Sequence, residues 1–309
     1  MSDKPRIAIA LGDPAGIGAE ITYGAVNSLR VKRVCSPVIF GDIRFKPVFK
    51  NSRVEFIETS NFGKIPIGKP SLKAGLVAVN ALKAAVKFCL DGKALALVTA
   101  PVSKESFKYA AMKYPGHSEF LAALTGSKKI AMMMSCGKIN SVMVTRHIPL
   151  AEVSKSLTTK DIVNTVKLCV KFLNKKGKVK VAVCALNPHA SDNLILGGEE
   201  KNIIAPACKI LKKSGIDVSG PLPADSAWLK TKNGLYDLIC CMYHDQVMIP
   251  LKCIDASKIV NVTAGLPFVR TSPGHGTAFD IAGKNKADCA PMTEAVLYAL
   301  KQTLSVVRF

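Results

Sequence analysis

The chain has 309 residues, 49% of them apolar and 21% charged, a balance that argues against disorder and leaves room for two domains around a large core. Its formal net charge of +21 invites a nucleic-acid partner, because lysine and arginine patches gain affinity by releasing counterions from a phosphate backbone. The lysines are instead dispersed in pairs such as Lys128-Lys129, Lys175-Lys176 and Lys212-Lys213, with one tryptophan and six tyrosines to stack on bases, so nucleic acid is not the expected partner. Most of the charge reads as surface composition, and a smaller part as serving an anionic small molecule and its cofactor.

The first apolar run, in MSDKPRIAIALGDPAG, is too short for a membrane span or a signal-peptide core and reads as a buried strand over 6–11. No later stretch is long and apolar enough to cross a bilayer. The loop GDPAGIGAE, Gly12 to Glu20, has two readings: a phosphate cradle, or a tight strand-to-helix turn with Asp13 near a cleft. It matches neither the dinucleotide nor the P-loop fingerprint. Strand-like runs follow at 38–40, 54–57, 94–98, 130–134, 141–145, 179–185, 238–242 and 259–263. Between them lie amphipathic segments over 72–90, 159–174 and 199–211, and this alternation predicts an α/β fold with a parallel or mixed sheet covered by helices. The change near residue 126 to two consecutive strands marks a candidate domain boundary. The ten cysteines are dispersed, form no Cys-x-x-Cys pair and include Cys184, Cys240 and Cys241 inside apolar runs. That pattern reads as reduced thiols in a cytoplasmic protein rather than as disulfides or a zinc ribbon.

Polar residues with chemistry to offer gather at element boundaries. His117 and Ser118 precede a helical stretch, so they and the first backbone N–H groups can face an anion, or Ser118 can merely cap the helix. His147, His189 and His244 each follow a strand-like run. Three imidazoles at the carboxyl ends of three strands can converge on a divalent metal and leave positions open for substrate. Asp225 and Asp245 supply carboxylates for a further ligand, an imidazole-orienting contact or proton transfer. Lys252, Asn261 and Arg270 are spread over two strands and the loops after them and read as a clamp for a phosphate or carboxylate. Gly274-His275-Gly276-Thr277, followed by Asp280 and Gly283, lets backbone approach a ligand.

Taken in order, GDPAGIG, TAPVSK, GHSEFLA, NPHA, GPLPADS, YHDQ, IPLK, VNVT, GLP and RTSPGHGTAFDIAG resemble the 4-hydroxythreonine-4-phosphate dehydrogenase family of vitamin B6 (pyridoxal phosphate) biosynthesis over nearly the whole chain. The resemblance implies a two-domain α/β/α architecture like that of isocitrate and isopropylmalate dehydrogenases, with the active site in the interdomain cleft. The expected domains are 1–125 plus 265–309 on the cofactor side, and 126–264 on the metal and dimerisation side. It implies one divalent metal, zinc, magnesium or cobalt, on His147, His189 and His244. Substrate falls to His117, Ser118, Lys252, Asn261 and Arg270, and its proton to Asp225, Asp245 or a water. HGTAFDIAGKN also resembles the adenosine-side loop of isopropylmalate dehydrogenases, which implies NAD or NADP on His275, Gly276, Thr277, Ala278, Asp280 and Asn285. The implied enzyme is a cytoplasmic homodimer with its site at the interface. It oxidises 4-phosphohydroxy-L-threonine to 2-amino-3-oxo-4-phosphooxybutanoate, which decarboxylates to 3-amino-2-oxopropyl phosphate. The alternatives are a dehydrogenase of threonate or erythronate phosphate, or a phosphate acyltransferase. The chain departs from the family at Ser191-Asp192-Asn193, where glycines are common after NPHA, at Val247 after HDQ, and at Ser118, where threonine is frequent.

Overall fold

The computed structural model describes residues 4–110, 114 and 116–307. Eleven strands run in chain order as β1 (Arg6–Ala10), β2 (Ser36–Asp42), β3 (Glu55–Ser60), β4 (Ala96–Thr99), β5 (Ala131–Cys136), β6 (Ile139–Met143), β7 (Lys180–Cys184), β8 (Asp217–Leu222), β9 (Leu238–Cys241), β10 (Ile259–Ala264) and β11 (Val269–Pro273). Contacts divide the chain into one unit of Met1–Lys129 with Val260–Phe309 and another of Ile130–Ile259. The sequence reading places the joins at 125/126 and 264/265.

In the first unit the strand order is β3-β2-β1-β4-β11-β10. All neighbours are parallel except β10 and β11, which pair antiparallel with Thr263 opposite Arg270. The helix Leu72–Leu90 covers β1 and β2 through Ala74, Val77, Ala78, Ala81, Leu82, Ala85, Val86 and Cys89, a run of three- and four-residue steps that keeps one stripe facing the core. Ser71 caps its start by accepting from Ala74 N at 3.2 Å. At Gly75 a Cβ would lie 2.0 Å from the Ser106 carbonyl oxygen, so this glycine lets the helix Lys104–Tyr109 pack against the longer one. A final helix, Ala290–Val307, packs on β11 and β4.

The second unit has the order β5-β6-β9-β7-β8, parallel apart from the β5–β6 hairpin. Its core gathers Met134, Met143, Ala182, Cys184, Trp228, Ile239, Cys241, Val247 and Leu251. Val247, which follows the HDQ motif, is a fully buried core side chain. Lys252 does not lie on a strand or loop: the run after His244 is a helix, His244–Asp255, which carries Pro250 inside it. Burial of Val247, Met248 and Leu251 sustains the helix through Pro250. Sequence periodicity also passed over β8 and β11.

Candidate active-site residues

In the first unit Arg270 lies on β11 and is almost completely buried. Its Nη1 donates to Thr263 Oγ1 at 2.9 Å and its Nη2 to Thr99 Oγ1 at 2.6 Å, while His117 Nδ1 is 3.4 Å from Nη2. A guanidinium can only donate, so Nδ1 is the acceptor and the His117 proton sits on Nε2. Arg270 Nε is buried with no hydrogen-bond partner among the described residues. Burial lowers the Arg270 pKa to about 10, partly countered by the charge of Glu119, so the group stays cationic at neutral pH. Burial, with the nearby Arg270 charge, pushes His117 down to about 3, so its ring is neutral. Phe107 holds that ring edge-on at 5.2 Å. His117 opens the helix His117–Thr125, whose cap is Gly116 without a side-chain bond. Ser118 is therefore one position inside the helix, buried, and is not its cap. Asn261, on β10, has its Oδ1 buried and without a partner among the described residues. Lys252 is exposed on the second unit's helix His244–Asp255. Thr99 and Thr263, the two hydroxyls that aim the guanidinium, lie inside TAPVSK and VNVT, where no sequence signal marks them.

The glycine-bearing first loop is a structural turn. Gly12 takes φ 70°, where a Cβ would meet the Pro101 carbonyl oxygen at 2.4 Å, and buried Asp13 accepts from Ala15 N at 2.9 Å and Ser103 N at 3.4 Å. Ile17 N donates to the Thr277 carbonyl at 3.1 Å, which ties this turn to the loop proposed for the cofactor. In that loop His275 Nδ1 donates to the Gly276 carbonyl at 3.0 Å, leaving Nε2 as an acceptor that is buried and unpartnered among the described residues. Ala278 and Asn285 take φ 42° and 53°, Gly276 and Asp280 are exposed, and the Asp280 carbonyl accepts from Lys284 Nζ at 2.8 Å. A cavity of about 400 Å³ is lined by residues of both segments, among them Gly16, Glu20, Gly283 and Asn285.

The second unit carries His147, His189 and His244. Backbone pairing continues past β6, with Val144 N donating to Cys241 O and Thr145 N to Met242 O at 3.1 Å. The rings of His147 and His244 thereby come to 5.7 Å between centroids and share a cavity of about 260 Å³ with Thr145, Tyr243 and Asp245. His244 Nδ1 lies 2.7 Å from Asp245 Oδ1, the orienting contact that directs Nε2 outward as a lone-pair donor. Gln246 fixes this strand end: its Oε1 accepts from Met242 N at 2.8 Å and its Nε2 donates to Ala185 O at 2.9 Å, bridging the ends of β9 and β7.

His189 is placed differently. Buried Glu200 accepts from Leu186 N and Asn187 N at 2.9 and 2.8 Å, and from His189 to Leu194 six consecutive residues take left-handed φ between 41° and 77°. The ring is exposed. Within the single chain, no group of three or more His, Cys, Asp or Glu side chains among the described residues is gathered to hold a metal. Two imidazoles thus share a cavity, and the expected convergence of three is not present in one chain. Asp225 is exposed in the first turn of the helix Ala224–Lys232. The departure from the glycines common after NPHA falls inside the left-handed run, where Asp192 and Asn193 are among the side chains that best tolerate it.

The family described as "Pyridoxal phosphate biosynthetic protein PdxA" matches residues 15–299. The chain belongs to the PdxA family. A relative from Sulfurihydrogenibium sp. named 4-hydroxythreonine-4-phosphate dehydrogenase is 40% identical, the match covering 96% of this chain and 97% of that protein. One from Cupriavidus necator named D-threonate 4-phosphate dehydrogenase is 36% identical over 96% of this chain and 97% of its own. The crystal structure of a 4-hydroxythreonine-4-phosphate dehydrogenase from Klebsiella pneumoniae aligns with a TM-score of 0.88 at 31% identity, covering 97% of this chain and 100% of that one. A beta-decarboxylating dehydrogenase from Thermococcus kodakarensis, 16% identical, aligns at a TM-score of 0.52 over 98% of this chain and 89% of its own. At that identity it speaks for the fold alone, and it bears out the expected likeness to isopropylmalate-type dehydrogenases. No helix among the described residues is long and apolar enough to cross a membrane.

Proposed function

We propose that this PdxA-family chain is a nicotinamide- and divalent-metal-dependent dehydrogenase of 4-phosphohydroxy-L-threonine, acting as a homodimer with its active site at the interface. The observation that carries the reading is Arg270. A buried cation surrounded by two hydroxyls and a neutral imidazole, with a further N–H left unpartnered, is costly unless an anion completes it. A phosphate monoester supplies that charge and the acceptor oxygens to match the guanidinium fork. His117 Nε2–H, the Ser118 hydroxyl, the first N–H groups of the helix His117–Thr125 and the Asn261 amide provide further contacts of the kind a phosphate accepts. Lys252 is assigned to the substrate on the resemblance.

The donor set of the second unit fits a divalent metal in kind: His147 and His244 share a cavity, and Asp245 fixes the tautomer that leaves His244 Nε2 free to coordinate. His189 is the third donor, presented by the exposed left-handed turn. A bound metal would polarise the substrate hydroxyl and lower its pKa. In the first unit, the cavity beside the HGTAFD loop, the unpartnered His275 Nε2 and the close approach at Gly16, where a Cβ would stand 2.9 Å from the Thr277 carbonyl oxygen, fit a dinucleotide laid along backbone. His275, Gly276, Thr277, Ala278, Asp280 and Asn285 would hold it.

A bound nicotinamide would supply the hydride acceptor, and the exposed carboxylates Asp245 and Asp225 can take the hydroxyl proton directly or through water. The 3-oxo acid so formed loses carbon dioxide to give 3-amino-2-oxopropyl phosphate. Support for the dimer comes from the family resemblance and from Leu194, Ile195 and Leu196, an exposed apolar run just after His189 in which Ile195 is 77% exposed. The reading is tested by following NADH formation from 4-phosphohydroxy-L-threonine and, in parallel, from D-threonate 4-phosphate. Turnover of the first at higher kcat/KM is expected; preference for the second would transfer the assignment to the threonate enzymes.

A further inference from the structure

The cavity beside the cofactor loop contains a carboxylate that none of the assigned roles uses. Glu20 lies in the first turn of the helix Gly18–Asn27 and is half-buried. Its Oε2 accepts from Asn285 N at 3.0 Å, across 265 residues of sequence. Its Oε1 is buried and has no hydrogen-bond partner among the described residues. Glu20 lines the cavity of about 400 Å³ together with Pro14, Gly16, Tyr23 and Asn285, and no lysine or arginine is among the described lining residues. The bond to Asn285 and the tie from Ile17 N to Thr277 O hold the carboxylate against the HGTAFDIAGKN segment.

A buried carboxylate oxygen without a donor is a site for an O–H or N–H that arrives with a ligand, because leaving such a group unsatisfied is costly. The adenosine ribose of NAD carries a vicinal diol with two hydroxyl donors. NADP carries in place of one hydroxyl a phosphate with roughly −1.5 to −2 charge at neutral pH and acceptor oxygens only. Set against Glu20 it would bring two anions together in a partly dry cavity, with no cation in the described lining to offset them. We infer that Glu20 is the specificity-determining residue that makes this chain take NAD and reject NADP, by accepting a hydroxyl of the adenosine ribose. This inference rests on the dehydrogenase reading above.

The test is equilibrium binding to the full-length protein, read by nucleotide fluorescence for NADH and NADPH and by calorimetry for ADP-ribose and its 2′-phosphorylated form. Wild type should bind NADH about 100-fold more tightly than NADPH, reflecting a lost charge-assisted hydrogen bond together with like-charge repulsion. Glu20→Gln should weaken NADH roughly 10-fold and shrink the gap to NADPH to about 10-fold or less, because the amide no longer repels a phosphate. Glu20→Asp keeps the charge and should keep the exclusion of NADPH while weakening NADH, which preserves the test should the amide variant fold poorly. Equal affinity for the two cofactors in wild type, or an undiminished gap in a folded Glu20→Gln, would overturn the inference and leave the dehydrogenase reading standing. Failure of wild type to bind either dinucleotide or either ADP-ribose would overturn both.

Discussion

The two sets of polar residues are built on opposite plans. Around Arg270 the groups are on or next to a strand or a helix start and are buried or half-buried: Thr263 and Thr99 aim the guanidinium, and Phe107 and Arg270 fix the His117 ring. Around the histidines the groups are exposed or half-buried, with His244 at the start of a helix and backbone in the left-handed region at His147 and from His189 onward. An anion site organised before the ligand arrives gives up little entropy on binding, whereas donors on turns are ordered by what they bind. Point changes should therefore act on ligand affinity at the first set and on metal retention at the second.

The largest effect should come from the metal. Treatment with a chelator, or His244→Ala, should lower turnover by roughly a thousandfold or more, since polarising the hydroxyl contributes several kcal/mol to the barrier. Metal content measured on the same samples should fall in parallel, and a His244→Ala protein that keeps both its metal and its rate would remove this histidine from the site.

Arg270→Lys comes next. Lysine keeps the charge but loses the fork held by Thr99 and Thr263, so kcat/KM for the phosphorylated substrate should fall about 10- to 100-fold, the range expected for charge-assisted hydrogen bonds of about 1.5–3 kcal/mol. The penalty should be much smaller on the dephosphorylated analogue. Equal penalties on the two substrates would show that Arg270 supports the β10–β11 pair and not the ligand.

The smallest effect concerns stability. Ala190 sits at φ 54° and ψ 47°, where an L side chain costs roughly 1 kcal/mol that glycine avoids, partly offset by the greater freedom of glycine in the unfolded chain. Ala190→Gly should raise the melting temperature by about 2 °C or less. A fall would mean that the methyl group makes contacts that outweigh the strain.

Much of this arrangement is legible in the sequence, and what is missed has physical causes. The helix Leu72–Leu90 announces itself because its apolar stripe is uninterrupted and Ser71 marks its start. The strand β11 hides because VRTSP has no apolar alternation, and all five residues are nonetheless buried. An arginine in the middle of a sheet contradicts composition rules, and the threonines supplied by β4 and β10, with the His117 ring, give it acceptors that no local pattern shows. The roles of Gln246 and Glu200 are equally hidden: Gln246 donates to the Ala185 carbonyl at another strand end and Glu200 accepts from Leu186 N across the intervening turn, relations no local pattern encodes. Glu20 escaped for the opposite reason, since in GDPAGIGAE it looks like any acidic residue in a helix's first turn.

The discontinuity of the first unit has a consequence for synthesis. Residues Ile130–Ile259 are contiguous, so the unit carrying the histidines has all its strands as soon as that stretch leaves the ribosome. The other unit waits, because β4 cannot acquire its neighbour β11 until residues 269–273 have been made, some 170 positions later. Until then the exposed edge of β4 is open to unwanted pairing. A nascent chain stalled before residue 270 would contain His147, His189 and His244 and yet lack Arg270, the cation proposed for the phosphate.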